Sequence, residues 1–94
     1  MVRERLEGVV KKIDVLGNDF GFITLILERS KYDEEKNIPV YATLNKEILG
    51  KRVYISTIIE EGMFEQSITS PETSYKIVMP YSHVEEINRK YGFI

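Results

Sequence analysis

The segment Lys51–Ile59 alternates between apolar and polar positions, and this pattern restricts what the chain can fold into. Every second residue from Val53 to Ile59 falls on one face, which is the period of a half-buried β-strand. Similar extended segments recur along the chain, separated by Gly, Pro or Asn, as Leu6–Leu16, Phe20–Leu27, Ile38–Leu44, Met63–Thr69 and Tyr75–Met79. This spacing predicts a mainly β fold, an antiparallel meander or small barrel of five or six strands.

The connections between these strands have their own sequence signals. Gly17-Asn18-Asp19 tolerates positive φ and predicts a hairpin after a first strand in which Val9, Ile13 and Val15 share one face. The mixed charges from Glu28 to Asn37 lack periodicity and predict a solvated loop. Asn45 and Gly50 bracket a single predicted helical turn.

The C-terminal segment has the pattern of a short helix. Ser82 and Glu85 have the spacing of a capping box, and the positions of Val84, Ile87 and Tyr91 share one helical face. We therefore predict a helix at about residues 82–91, ended by Gly92. The apolar tail Phe93-Ile94 should pack into the domain or against a partner.

The chain has 94 residues and no cysteine, so hydrophobic packing has to stabilise one domain, residues 1–94, without disulfides. The charged N-terminus lacks a signal-peptide pattern, and no apolar run approaches the roughly 18 residues of a membrane span. We expect a cytoplasmic protein with no membrane partner. One Gln, no Cys and many Lys, Glu, Ile and Tyr make a composition typical of proteins from hot environments.

Few residues of this chain suit catalysis or metal binding. The single histidine, His83, falls in the first turn of the predicted helix, where a surface role is expected. Adjacent glutamates such as Glu60-Glu61 diverge in a strand or helix and cannot share a catalytic task. The sequence therefore predicts a protein that is not an enzyme and that has no metal site and no cofactor.

The first hairpin resembles that of cold-shock domains and related OB-fold barrels. The resemblance rests on Gly8-Val9-Val10-Lys11-Lys12-Ile13, a turn, and Asp19-Phe20-Gly21-Phe22-Ile23, and it extends through Ile38-Pro39-Val40-Tyr41 and Leu49-Gly50-Lys51-Arg52-Val53. It implies an OB-like barrel that binds single-stranded DNA or RNA, with contacts from Lys11, Phe20, Phe22 and Tyr41. Lys12, Lys51 and Arg52 lie on strands that such a fold would bring together.

The chain also departs from the cold-shock pattern. Lys12-Ile13 replaces an aromatic position, Asp19 replaces a lysine and Pro39 replaces a phenylalanine. An acidic residue repels phosphate, and each missing stacking face costs roughly 1–3 kcal/mol of binding. In the alternative interpretation, Phe20 and Phe22 are packing residues of the core.

The segment from Ile38 to Ile55 resembles a second family, the swapped-hairpin, AbrB-like transcription factors, which are dimers. The flanking segments are longer than in that module, and its basic arm is missing. We therefore rank this resemblance below the OB-like one.

Two classes of function remain open from the sequence. The first is a non-enzymatic module that binds single-stranded nucleic acid. The second is a protein-interaction or structural module, a homodimer or a subunit of a larger complex. The second class is favoured by the net charge of −2, the apolar tail and edge strands that could pair with another chain.

Overall fold

The computed structural model describes residues 1–28 and 32–93. The elements, in chain order, are β1 (Val2–Val15), β2 (Gly21–Glu28), β3 (Asp33–Val40), a 3-10 turn (Lys46–Ile48), β4 (Arg52–Glu60), β5 (Met63–Thr69), β6 (Ser74–Pro80) and α1 (Tyr81–Lys90). The six strands form one antiparallel sheet in the order β3-β2-β1-β4-β5-β6. The mainly β class and the short C-terminal helix are thus confirmed. Among the described residues, no helix has the length and apolar character needed to cross a bilayer.

The long strand β1 joins the two halves of the sheet. Its first part pairs with β4 from Val2 to Val9, and its second part pairs with β2 from Val9 to Val15. The register shifts between Val10 and Lys12, and such a bulge bends a strand and increases its twist. The prediction that Val9, Ile13 and Val15 share one face is wrong for Val9, because the bulge brings Val10 to the face of Ile13. Val10 is buried, and Ile13 packs against the same core cluster.

The sheet is not closed, since β3 and β6 are its two end strands. A buried side chain connects β5 to the end of β3 instead. The Gln66 Nε2 donates to the Pro39 carbonyl at 2.9 Å, and the Tyr41 amide donates to the Gln66 Oε1 at 3.4 Å. The sheet therefore curls enough for a side chain of β5 to reach the end of β3.

Two clusters make up the core. The first fills the inside of the sheet and consists of Val10, Ile23, Leu25, Leu27, Ile38, Val40, Leu44, Ile48, Val53, Ile55 and Ile68. The second, which we call the aromatic cluster, lies beneath α1 and consists of Phe20, Tyr41, Phe64, Val84 and Ile87. Val84 and Ile87 are the buried residues of α1, as their spacing predicted.

Two local predictions are wrong and one is confirmed. The residues from Asp33 to Asn37 belong to β3, because pairing with β2 outweighs their local charge pattern; residues 29–31 of that predicted loop lie outside the described residues. The helix begins at Tyr81 after Pro80, without a side-chain cap, so Ser82 lies inside it. The turn at Asn45 is confirmed, and its Oδ1 accepts the Glu47 amide at 2.9 Å.

Candidate binding surfaces

Phe20, the first aromatic residue of the predicted nucleic-acid surface, lies in the middle of the aromatic cluster. It is 1% exposed, and its ring centroid lies 5.1 Å from that of Tyr41 and 5.2 Å from that of Phe22. Tyr91 and Phe93 cover it at 5.2 and 5.4 Å. Tyr41 is 8% exposed and Phe22 is half-buried against Phe93. In this structure, Phe20 and Tyr41 present no open ring face to a ligand.

Polar contacts hold α1 over these rings. The Tyr91 hydroxyl donates to Asp19 Oδ1 at 2.6 Å, and the Lys90 ammonium lies 3.3 Å from Asp19 Oδ2. The hydrogen bond from Tyr91, together with Lys90, keeps the pKa of the Asp19 carboxyl below its ordinary value, and the same bond raises the pKa of Tyr91. The Tyr41 hydroxyl donates to Asn88 at 3.0 Å. These contacts fix both the first hairpin and the end of β3 to the C-terminal segment.

The four predicted cationic residues lie on the surface, and three of them are brought close together. Backbone bonds between Val10 and the segment Gly50-Lys51 place Lys51 and Arg52 beside the β1 bulge that carries Lys11. Each of the four has a carboxylate partner: Lys11 pairs with Glu35, Lys12 with Asp14 at 3.6 Å, Lys51 with Glu72 at 2.6 Å and Arg52 with Glu28 at 2.9 Å. These carboxylates offset much of the positive potential that would attract a phosphate.

The outer face of β4, β5 and β6 carries an apolar patch that the sequence patterns did not single out. It consists of Ile58, Met63 and Val78, of which Met63 is 42% and Val78 is 56% exposed. They line a shallow groove of about 330 Å³ with three carboxylates at its rim, Glu60, Glu61 and Glu65. Large apolar side chains that are exposed as neighbours are a feature of protein-interaction sites.

The same face carries an exposed tyrosine near the opposite end of β4. Tyr54 is 53% exposed and forms a wall of a groove of about 310 Å³ with Pro71 and Arg52. The sequence prediction for β4 rests on alternate residues from Val53 to Ile59. Tyr54 occupies one of the positions between them, so the same alternation predicts that Tyr54 faces outward.

The two end strands differ in how they resist pairing with another chain. β3 carries Asp33, Glu34 and Glu35 and has Pro39 near its end. β6 carries a single charge, Lys76, and its proline is its last residue. Charges and prolines protect sheet edges, so β6 is the less protected edge. On β6, the Tyr75 hydroxyl is buried and has no hydrogen-bond partner among residues 1–28 and 32–93.

The described residues offer no arrangement suited to metal binding. No group of three or more His, Cys, Asp or Glu side chains comes together within residues 1–28 and 32–93. His83 is exposed and lies 3.4 Å from Glu86. A pocket of about 200 Å³ between β3, β4 and α1 is smaller than the roughly 300 Å³ at which ligand sites begin.

Comparisons of the chain with protein-family models, with curated proteins and with solved structures find no match.

Proposed function

We propose that this protein is a non-enzymatic binding module whose ligand is a segment of another protein. The observation that carries this proposal is the apolar patch of Ile58, Met63 and Val78 on the outer face of the sheet. The patch borders β6, which is the less protected edge. A docked segment could therefore contact the apolar side chains of the patch and pair with the backbone of β6 at the same time.

The carboxylates around the patch indicate the chemistry of the partner. Glu65 is already paired with Lys76 at 3.1 Å. Glu60 and Glu61 have no ion pair among the residues that the structure describes. A segment with apolar side chains for the patch and basic side chains for these two glutamates would be complementary in both shape and charge. We therefore propose that the ligand is a polypeptide segment that carries both basic and apolar side chains.

A labelled peptide of 7 residues, the length of β6, with alternating leucine and lysine tests this proposal by fluorescence anisotropy. We expect weak, salt-sensitive binding, and no binding of the same peptide with glutamate in place of lysine. Val78→Lys should abolish binding, because it places a cation in the patch. Val15→Lys, the same change at a similarly exposed strand position, should not. Equal binding by both variants would contradict the proposal.

The second candidate ligand is single-stranded nucleic acid, as the OB-like resemblance implies. It is supported by the curled sheet with a bent first strand, by the helical turn between β3 and β4, and by the proximity of Lys11, Lys51 and Arg52. The carboxylate partners of these cations and the burial of Phe20 weigh against the predicted surface itself. The seven predicted contacts therefore remain a proposal.

A further inference from the structure

We infer that the polypeptide segment bound at the apolar patch is the first half of β1, from Val2 to Gly8, of a second copy of this chain. This inference rests on the proposed function, because it names the partner of the same patch of Ile58, Met63 and Val78. The segment and the patch are different parts of the chain, so the contact joins the copies head to tail.

The first half of β1 has an open edge. β4 pairs with β1 from Val2 to Val9, whereas β2 pairs with it only from Val9 onward. Within residues 1–28 and 32–93, no strand therefore pairs with the second edge of β1 between Val2 and Gly8. A gap of about 180 Å³ separates part of this edge from the end of β2. Unpaired N–H and C=O groups in such a row can pair with a strand of another chain.

A backbone hydrogen bond shows which residues of β1 face the open edge. The Val10 amide donates to the Lys51 carbonyl at 3.0 Å, so the backbone groups of Val10 point toward β4. Successive residues of a strand point to opposite edges. Counting back from Val10, the N–H and C=O groups of Arg3, Arg5 and Glu7 therefore lie at the open edge.

The free edge of β6 follows from the same alternation. The Tyr81 amide donates to the Gly62 carbonyl at 2.8 Å, where the pairing of β5 with β6 ends. Tyr81 thus points toward β5, and so does every second residue before it. The residues between them, including Lys76 and Val78, present their backbone groups at the free edge. Each edge therefore offers the groups that an antiparallel strand needs.

The charges of the two edges are complementary. Directly opposed residues of antiparallel strands share a face, so this pairing puts Arg3 and Arg5 on the face of the patch. Both arginines are exposed, and neither has an ion pair within the described ranges. Glu60 and Glu61, at the rim of the patch, have none there either. The aliphatic parts of the arginine side chains can cover Val78 while their guanidinium groups reach these carboxylates.

Sedimentation equilibrium of the full chain tests this inference. We expect the weight-average mass to rise between roughly 1 µM and 1 mM protein, past twice the monomer mass, because a head-to-tail contact leaves one free surface on each end. Val78→Lys should keep the protein monomeric, and so should Arg3→Glu combined with Arg5→Glu.

Two controls match these variants in charge. Val15→Lys places the same cation on an exposed strand position elsewhere, and Lys12→Glu combined with Lys46→Glu reverses two exposed charges away from the open edge. Both should associate like the unaltered protein. Monomeric controls would show that net charge, and not the proposed contact, governs association, and would overturn the inference.

A mixture of the two monomeric variants gives the sharpest result. The Val78→Lys protein keeps both arginines, and the arginine variant keeps the patch. An equimolar mixture should therefore form a dimer and nothing larger. A mixture that stays monomeric, or association of either variant alone, would contradict the head-to-tail contact.

The leucine–lysine peptide separates this inference from the proposed function. If the peptide binds the patch while the unaltered protein stays monomeric at every concentration, the proposed function stands and the second copy is not the partner. If the peptide does not bind and the protein stays monomeric, the proposed function fails as well. Circular dichroism should show unchanged folding for every variant, since all the altered side chains are exposed.

Discussion

Gln66 is the residue whose replacement tests the fold most sharply. It is 1% exposed and bonds to the backbone of Pro39 and Tyr41 at the end of β3. Gln66→Met keeps the volume and removes both bonds, so the buried Tyr41 amide and the part-buried Pro39 carbonyl each lose this partner. A buried group left unpaired costs about 1–3 kcal/mol. Because the bond from Tyr41 is long, at 3.4 Å, its share is the smaller one.

We therefore expect Gln66→Met to lower the free energy of unfolding by about 2–4 kcal/mol. At about 4–8 °C per kcal/mol for a domain of this size, the melting temperature should fall by roughly 8–32 °C. The Tyr41 amide should also exchange faster with deuterium. The matched control is Thr24→Val, since Thr24 donates to Asn37 at 2.8 Å and Asn37 is exposed and can turn to water. If both variants melt at the same temperature, Gln66 does not hold β5 to β3.

Three further predictions concern the aromatic cluster and its cover. Phe22→Ala should lower the free energy of unfolding, measured with urea, by about 2 kcal/mol, because Phe22 packs between Phe20 and Phe93. Loss of oligonucleotide binding with unchanged stability would instead favour a role of Phe22 in base stacking. Deleting residues 84–94 should lower the melting temperature substantially, since it uncovers Phe20; an unchanged melting temperature would rule out this packing role. Because the pKa of Asp19 is lowered in the folded protein, its carboxylate stabilises the fold above the unfolded pKa of about 3.9, and this stabilisation is lost as pH falls through the folded pKa. The melting temperature of Asp19→Asn should therefore depend less on acid pH than that of the unaltered protein. An unchanged dependence would contradict this role of Asp19.

The strands that are strongly patterned could be predicted from the sequence. The β4 alternation predicts the correct buried face in the first half of the strand, where Val53 and Ile55 are buried and Tyr54 is exposed, while residues 56–59 are all half-buried. In β1 the local pattern put Val9 on the same face as Ile13, because the bulge between Val10 and Lys12 adds a residue that only the pairing with β2 defines. The first half of β3 was predicted as a loop for a similar reason. Glu34 and Glu35 pair with apolar residues of β2, and their own charged sequence does not indicate this pairing.

The candidate sites could be predicted less well than the strands. The sequence left open whether Phe20 and Phe22 are exposed, because exposure depends on where α1 packs. A pairing of distant residues, Asp19 with Tyr91, fixes that position. The apolar patch combines Ile58, Met63 and Val78 from three strands, so it exists only once the register is known. Tyr54 was visible in the β4 alternation, as the aromatic residue of its exposed half.

Chemical-shift mapping of the ¹⁵N-labelled protein with the leucine–lysine peptide tests the central claim, that the outer face of β4, β5 and β6 is the protein-binding surface. We expect the amide shifts to concentrate around Ile58, Met63 and Val78, which lie together on that face, and to extend along β6. Val78→Lys should remove them. Shifts that concentrate instead around Lys11 and Lys12, or on the β3 edge, would contradict the account.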